Sequence, residues 1–147
     1  MIYTADRAQH VAEIIKPALA RDAVVISDRF LHSTIAYQGY GRGIDIKTIN
    51  LLNNLAIDNT KPDLVILLDI DPEVGLNRAK VRAEAATNGN SEWTRFENEK
   101  LEFRRKLRAG FLELAQDPSN KFTVIDASQD IETVTKAARA AVAKLFN

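Results

Sequence analysis

Apolar positions along the chain follow two periods. From Thr4, read as an N-cap, Ala8, Val11, Ile14, Ile15 and Ala18 recur at helical spacing, and Pro17 is expected to kink or restart that helix. Residues 23–26 (AVVI) then form a short, continuous, β-branched run, the pattern of a parallel strand buried on both faces. Residues 64–68 (LVILL) and 122–125 (FTVI) repeat it. Between the runs the period returns to helical. Helices are predicted over 46–57, from Pro72 to about 83 with Asp71 as cap, from about 93 to 115, and from about 131 to 146. Residues 84–92 (EAATNGNSE), polar and carrying Asn-Gly, read as a mobile loop. Strands alternating with helices imply an α/β fold with a mostly parallel sheet.

Composition narrows the class. A chain of 147 residues, 46% hydrophobic and 27% charged, without repeats or linker tracts, fits one globular domain with a real core. Twenty Lys and Arg balance twenty Asp and Glu, so a chain devoted to nucleic acid or an anionic membrane is disfavoured and any basic site is local. A nucleic-acid module built on Arg78 to Arg82 and Arg104 to Arg108 is set aside on that ground. There is no cysteine for a disulfide or thiolate cluster. No apolar run approaches the roughly 18 residues of a membrane span. The first ten residues carry charge where a signal peptide needs an apolar stretch, so a cytoplasmic location is expected.

Each apolar run ends in an acid: Ser27-Asp28-Arg29, Asp69 with Asp71, and Asp126. In open α/β sheets ligands bind beyond the carboxyl ends of the strands. Asp71 and Asp126 also suit helix entry, and both readings stay open for them. Asp28-Arg29 leads directly into FLHSTIAYQGYGRG, a string few structural needs explain. An Asp at a strand end can hold magnesium through water, the adjacent Arg can fork onto a phosphate, and Ser, Thr, Tyr and Gln on the next helix can reach a base or sugar. Gly39, Gly41 and Gly43 are spaced G-x-G-x-G and follow a helical segment, so they are no dinucleotide fingerprint. Arg78, Lys80, Arg82 and Arg95 flank the irregular loop, which places cations beside a segment that could close over a transferring phosphoryl group. His10 and His32 stand alone, without partners at metal spacing. No G-x-S-x-G motif and no Cys supplies an acyl-transfer nucleophile.

These residues resemble the bacterial thymidylate kinases, of the P-loop nucleoside monophosphate kinase group. Asp28-Arg29-Phe30 is similar to the family's Asp-Arg-aromatic motif. Ser33-Thr34, Ala36-Tyr37-Gln38-Gly39 and Gly41-Arg42-Gly43 are similar to the segment that follows it. Pro62-Asp63-Leu64, Pro72-Glu73-Val74-Gly75-Leu76, Arg78-Ala79, Arg95-Phe96-Glu97 and Ile125-Asp126-Ala127-Ser128-Gln129 continue the pattern in order over essentially the whole chain.

The resemblance implies a three-layer α/β/α P-loop NTPase-like fold: one thymidylate-kinase-like domain over 1–147, with a lid at about 78–95. The implied reaction is γ-phosphoryl transfer from Mg-ATP to dTMP, giving dTDP and ADP for dTTP synthesis. Arg29 is expected on the thymidylate phosphate and Asp28 on magnesium through water. Tyr3 stands where the family has a Phe stacking on thymine, Arg7 where an Arg bonds the base, and Ser33, Thr34, Tyr37 and Gln38 complete the base and sugar contacts. Tyr37 would crowd a ribose 2′-hydroxyl. Arg78, Arg82 and Arg95 match lid arginines that approach the phosphates of ATP, and Arg29 shares their catalytic role. The implied assembly is a homodimer, with no nucleic acid and no membrane as partner. For Arg42 two readings stay open, nucleotide binding and bracing of its turn, with bracing favoured.

One departure stands against the match. The 147 residues contain no G-x-x-x-x-G-K-[ST] motif, whose backbone N–H groups and Lys cradle ATP phosphates. The expectation is a partial domain without the N-terminal P-loop strand and helix, hence without the strand between 23–26 and 64–68, and inactive as a kinase alone. The alternative is a non-catalytic nucleotide-binding or interaction protein derived from the same fold.

Overall fold

A computed structural model of the chain describes residues 2–87 and 97–146, those at 83–87 and 97–100 by backbone alone. The chain divides into two compact units, one ending at Pro62 and the other beginning at Asp63.

The first unit is helical. Helix α1 (Ile2–His10) passes through a π-helical turn (Val11–Ile15) into α2 (Lys16–Leu19). The widened turn falls just before Pro17, whose missing N–H and bulky ring cannot continue α-helical bonding. Thr4 lies inside this helix and does not start it. After a non-helical stretch come α3 (Leu31–Thr34), a π-helical continuation (Ile35–Gly41), and α4 (Ile46–Ile57), which keeps the bounds its periodicity predicts. Asp45 caps α4 by accepting the Thr48 N–H at 2.9 Å. Val11, Ile15, Ala18, Ile35, Ala36, Ile49, Ala56 and Ile57 form the core, each large aliphatic worth about 1.5–3 kcal/mol when fully buried. Gly39 lets the segment approach α4, since a Cβ there would lie 3.0 Å from Ile46 Cγ1. Gly43, at φ 75°, takes the left-handed conformation that ends the helix.

The strand expected at 23–26 does not form. Ile26 is 93% exposed and Val24 66%, and no neighbouring chain pairs with their N–H and C=O groups among the described residues. Apolar β-branched residues favour extension, but a strand needs a ladder partner.

The second unit holds the sheet. Strands β1 (Val65–Asp69) and β2 (Phe122–Asp126) pair in parallel, with Val65 opposite Phe122 and Asp69 opposite Asp126. Together they match the expected runs to within one residue. Their faces are only partly covered, with Leu68 and Val124 about half exposed, whereas the runs predict burial on both faces. The order is β1, α5 (Pro72–Thr87), α6 (Glu97–Gln116), a 3₁₀ turn (Pro118–Asn120), β2 and α7 (Ile131–Ala143). Residues 84–87 are helical and not loop; residues 88–92 of that expected loop lie outside the described residues. Asp71 accepts the Glu73 N–H at 2.9 Å and Pro72 opens α5, as the Asp-Pro pair predicts. Leu107, Ile125 and Ala141 are among the buried apolar residues described in this unit. The chain is thus α/β, mainly helical, with a small parallel sheet.

Candidate functional site

In the first unit a polar cluster forms where α1, the segment after Asp28 and α4 meet. Arg7 projects from α1 and is only 9% exposed. Its Nη1 donates to Asn53 Oδ1 at 2.7 Å, and its Nη2 donates to Thr34 Oγ1 at 2.6 Å and to the Phe30 carbonyl at 3.4 Å. The guanidinium carbon sits 5.6 Å from the centre of the Phe30 ring. Every one of these partners is neutral. Burial pushes the Arg7 pKa down, and Asp6 partly offsets this through space. A cation buried among neutral acceptors, without a carboxylate bonded to it among the described residues, is available to an electron-rich ligand.

The corner before α3 presents a second cation. Arg29 adopts φ 71°, the left-handed region that non-glycine residues rarely enter, and the Ser27 hydroxyl donates to its carbonyl at 2.9 Å. Such backbone strain, of order 1–3 kcal/mol, is characteristic of functional turns. The Arg29 guanidinium lies 5.4 Å from the centre of the Tyr37 ring, a cation–π contact made from an exposed side chain. Asp28 is exposed beside it. A single exposed carboxylate suits magnesium, which keeps most of its water and takes its other ligands from phosphate oxygens.

The structure therefore brings Arg7 to Thr34 and Arg29 to Tyr37. Gln38, one residue on, accepts a bond from Arg42 Nη1 at 3.0 Å. Ser33 is half-buried on the same helix, with its N–H bonded to the Phe30 carbonyl at 3.2 Å. Tyr3 lies one turn before Arg7 and is 67% exposed, an open ring on the same helix.

The second unit carries the remaining candidates. Arg78 donates to the carbonyls of Ala127 and Ser128 at 2.7 and 2.6 Å, tying α5 to the corner after β2. Arg82 is exposed. Arg95 lies outside the described residues. Asp126 accepts the Ser128 N–H at 2.8 Å and the Gln129 Nε2 at 2.9 Å, and these bonds, Gln129 first, hold its pKa down to about 2. That is the turn reading of the two left open for it. At the end of β1, Asp69 takes a bidentate fork from Arg108, Nε to Oδ1 at 2.7 Å and Nη2 to Oδ2 at 2.8 Å. The pair lowers the Asp69 pKa and raises that of Arg108, so both partners favour the charged state.

Sequence reading missed two of these residues. Asn53 completes the Arg7 cluster. Its one sequence signal is an amide on the otherwise apolar face of Ile49, Ala56 and Ile57. Arg108 carries no local signal at all, because its partner is 39 positions away.

A family model described as thymidylate kinase matches residues 1–138. The chain is 52% identical over 142 residues to a thymidylate kinase of Geotalea uraniireducens, covering 97% of this chain and 66% of that protein. It is 49% identical over 145 residues to one of Solidesulfovibrio magneticus, covering 99% and 69%. Against one of Geotalea daltonii the identity is 46% over 147 residues, covering 100% and 68%. The chain spans about two thirds of the length of these curated relatives.

Proposed function

The chain belongs to the thymidylate kinase family, and from that premise we propose that its Arg7 and Arg29 cluster binds dTMP as the acceptor of a phosphoryl group from Mg-ATP. One observation carries the reading: Arg7 is buried with no carboxylate bonded to it among the described residues, beside a strained corner that holds Arg29 against an aromatic ring. Such a pair suits a ligand with a carbonyl-bearing base at one end and a phosphate at the other. Arg7 and Thr34 take the base, with Tyr3 as the ring that stacks on it. Arg29 takes the phosphate, which a guanidinium fork fits. Tyr37, Gln38 and Ser33 line the sugar side.

The implied reaction is attack of a dTMP phosphate oxygen on the γ-phosphorus of ATP, with the bond to the β-bridging oxygen breaking and ADP leaving. Asp28 would hold magnesium through water, and the ion would supply charge neutralisation for the phosphate oxygens. Arg82 and Arg95, in a lid at about 78–95, are proposed as cations for ATP. For Arg78 that role competes with its bonds to Ala127 and Ser128. The β1–β2 pair is read as part of a larger three-layer P-loop NTPase-like sheet, with 1–147 as one thymidylate-kinase-like domain. A cytoplasmic homodimer belongs to the same proposal.

These 147 residues lack the Walker sequence, so binding and turnover separate in the test. dTMP, and not UMP or AMP, is expected to raise the melting temperature of the chain, since a ligand that binds only the folded state stabilises it. dTDP formation by the purified chain alone is not expected. Equal shifts with all three nucleotides, or none with dTMP, would overturn the binding assignment.

A further inference from the structure

Asn53 is 1% exposed in the middle of α4, whose other buried residues, Ile49, Ala56 and Ile57, are apolar. A buried amide with both ends used has been given work, because leaving either end unpaired is unfavourable. Its Nδ2 donates to the Leu31 carbonyl at 3.3 Å, and its Oδ1 accepts from Arg7 Nη1 at 2.7 Å. The amide thus joins three separate pieces of chain: α4, α1, and the start of the helix that follows Asp28-Arg29-Phe30.

A guanidinium offers five N–H donors in a rigid planar fork. Three of those on Arg7 are committed, to Asn53, Thr34 and Phe30, which leaves Nε–H and one Nη1–H without a partner among the described residues. Asn53 and Thr34 grip opposite prongs, so the plane of the fork is set before any ligand arrives. Contrast Arg108, whose fork is spent on the Asp69 carboxylate. An Asp at position 53 would bond the same prong and neutralise the charge. The amide bonds it and leaves the charge in place.

We propose that Asn53 is the positioning residue for base recognition: it orients the Arg7 fork without neutralising it, so that the two uncommitted donors meet carbonyl oxygen on the base of a pyrimidine nucleotide and reject an amino group there. This rests on the dTMP assignment above. Orientation fixed in advance raises affinity by lowering the ordering cost of binding, and it sharpens discrimination because a wrongly placed donor stays unpaired.

The test is calorimetric titration of the full chain, its N53L, N53D and R7M variants with dTMP, 5-methyl-dCMP and deoxyribose 5-phosphate. The second ligand replaces the C4 carbonyl of the base with an amino group and keeps that at C2, and the third has no base. N53L is expected to weaken dTMP about tenfold, to cut the preference for dTMP over 5-methyl-dCMP, and to leave deoxyribose 5-phosphate within about twofold. N53D, which still offers an oxygen to Nη1, is expected to melt above N53L yet bind dTMP about tenfold more weakly than the natural chain. A purely structural role would move all three ligands together and let N53D recover dTMP binding; either outcome overturns the proposal. If R7M keeps the dTMP preference, the base assignment itself fails. If R7M loses the preference and N53L keeps it, only the role of Asn53 fails. ¹⁵N spectra of the ligand-free natural chain need no variant to fold: distinct Arg7 Nη resonances are expected from a held fork, and a single averaged resonance overturns it.

Discussion

Arg7 and Arg108 each tie separate elements together, yet their surroundings are opposite. Arg7 is buried, and its acceptors are an amide, a hydroxyl and a backbone carbonyl. Arg108 is 39% exposed at its side chain and forks onto the Asp69 carboxylate, with Asp71 3.9 Å from its Nη1. Burial drives the Arg7 pKa down, whereas the hydrogen bond to Asp69 drives that of Arg108 up. The first guanidinium has no carboxylate bonded to it among the described residues, and two of its donors are uncommitted there. The second has its counterion within the fold, so its contribution goes to stability. Substitution at the two sites should therefore separate function from folding.

The largest effect is expected at Arg7. Arg7→Met should weaken dTMP binding about 100-fold, or about 2.7 kcal/mol, because it removes both the base donors and the local charge. Stability should change by no more than about 1 kcal/mol. The variant strands the Asn53 carbonyl oxygen but also relieves the cost of burying an uncompensated cation, and the two nearly offset. Calorimetry and urea denaturation on the same sample read both quantities. A large loss of stability with unchanged affinity would reverse the assignment of the two arginines.

Arg108→Met should do the opposite. Loss of the fork is expected to cost about 1–2 kcal/mol of stability, toward the low end for charged hydrogen bonds because the pair is partly solvated, with dTMP affinity unchanged within about twofold. The pH dependence gives a second check. The folded-state pKa of Asp69 lies below its unfolded value, so its stabilisation is complete above about pH 4 and is lost as the pH falls through the folded value. The gap between the natural chain and Arg108→Met, measured by urea denaturation, should stay constant from pH 5 to 8 and close on further acidification. A gap that persists unchanged at pH 2 would show that the methylene packing of Arg108, and not its ion pair, carries the effect.

Arg29 sharpens the same contrast from an exposed position. Its only charge-directed contact among those described is the Tyr37 ring, worth about 0.5–1 kcal/mol at an exposed site. Tyr37→Phe keeps the ring and should leave affinity for deoxyribose 5-phosphate within about twofold. Tyr37→Leu loses it and should weaken that ligand about three- to fivefold. Equal behaviour of the two variants would remove the ring from any account of how Arg29 is held.

The legible parts of this chain were those in which local pattern decides. Residues 46–57, 65–68 and 122–125 carry their period and their caps within a few positions, and the Asp-Pro pair at Asp71 starts α5 as expected. The segment from Asp28 to Gly43 stood out as a candidate because an acid, an arginine and small polar residues are contiguous there, although the strand expected to end at that acid does not form. What local pattern could not supply was pairing at a distance. Residues 23–26 have the composition of a strand but no neighbour among the described residues to complete a ladder, and Ile26 stands exposed. Asn53 reaches a residue 46 positions away, so nothing beside it in the chain marks it as the partner of Arg7. Arg108 looked like one cation in a basic stretch, because the carboxylate that defines it lies on another element.

Arg42 provides the smallest effect and the most discriminating control. Like Arg7, it donates to a neutral side-chain oxygen, Gln38 Oε1 at 3.0 Å; unlike Arg7, it is exposed. If a neutral partner were enough to reserve a guanidinium for ligand, Arg42→Ala would impair binding as Arg7→Met does. If burial is what makes the difference, water already satisfies the Arg42 charge, and the bond to Gln38 is an ordinary contact four residues apart on a helix end, worth about 0.2–0.5 kcal/mol. The expected result is a melting temperature within about 1–2 °C of the natural chain and dTMP affinity lowered by no more than about twofold. A loss of fivefold or more would place Arg42 on the ligand itself and make partner chemistry, not burial, the property that marks a binding arginine in this fold.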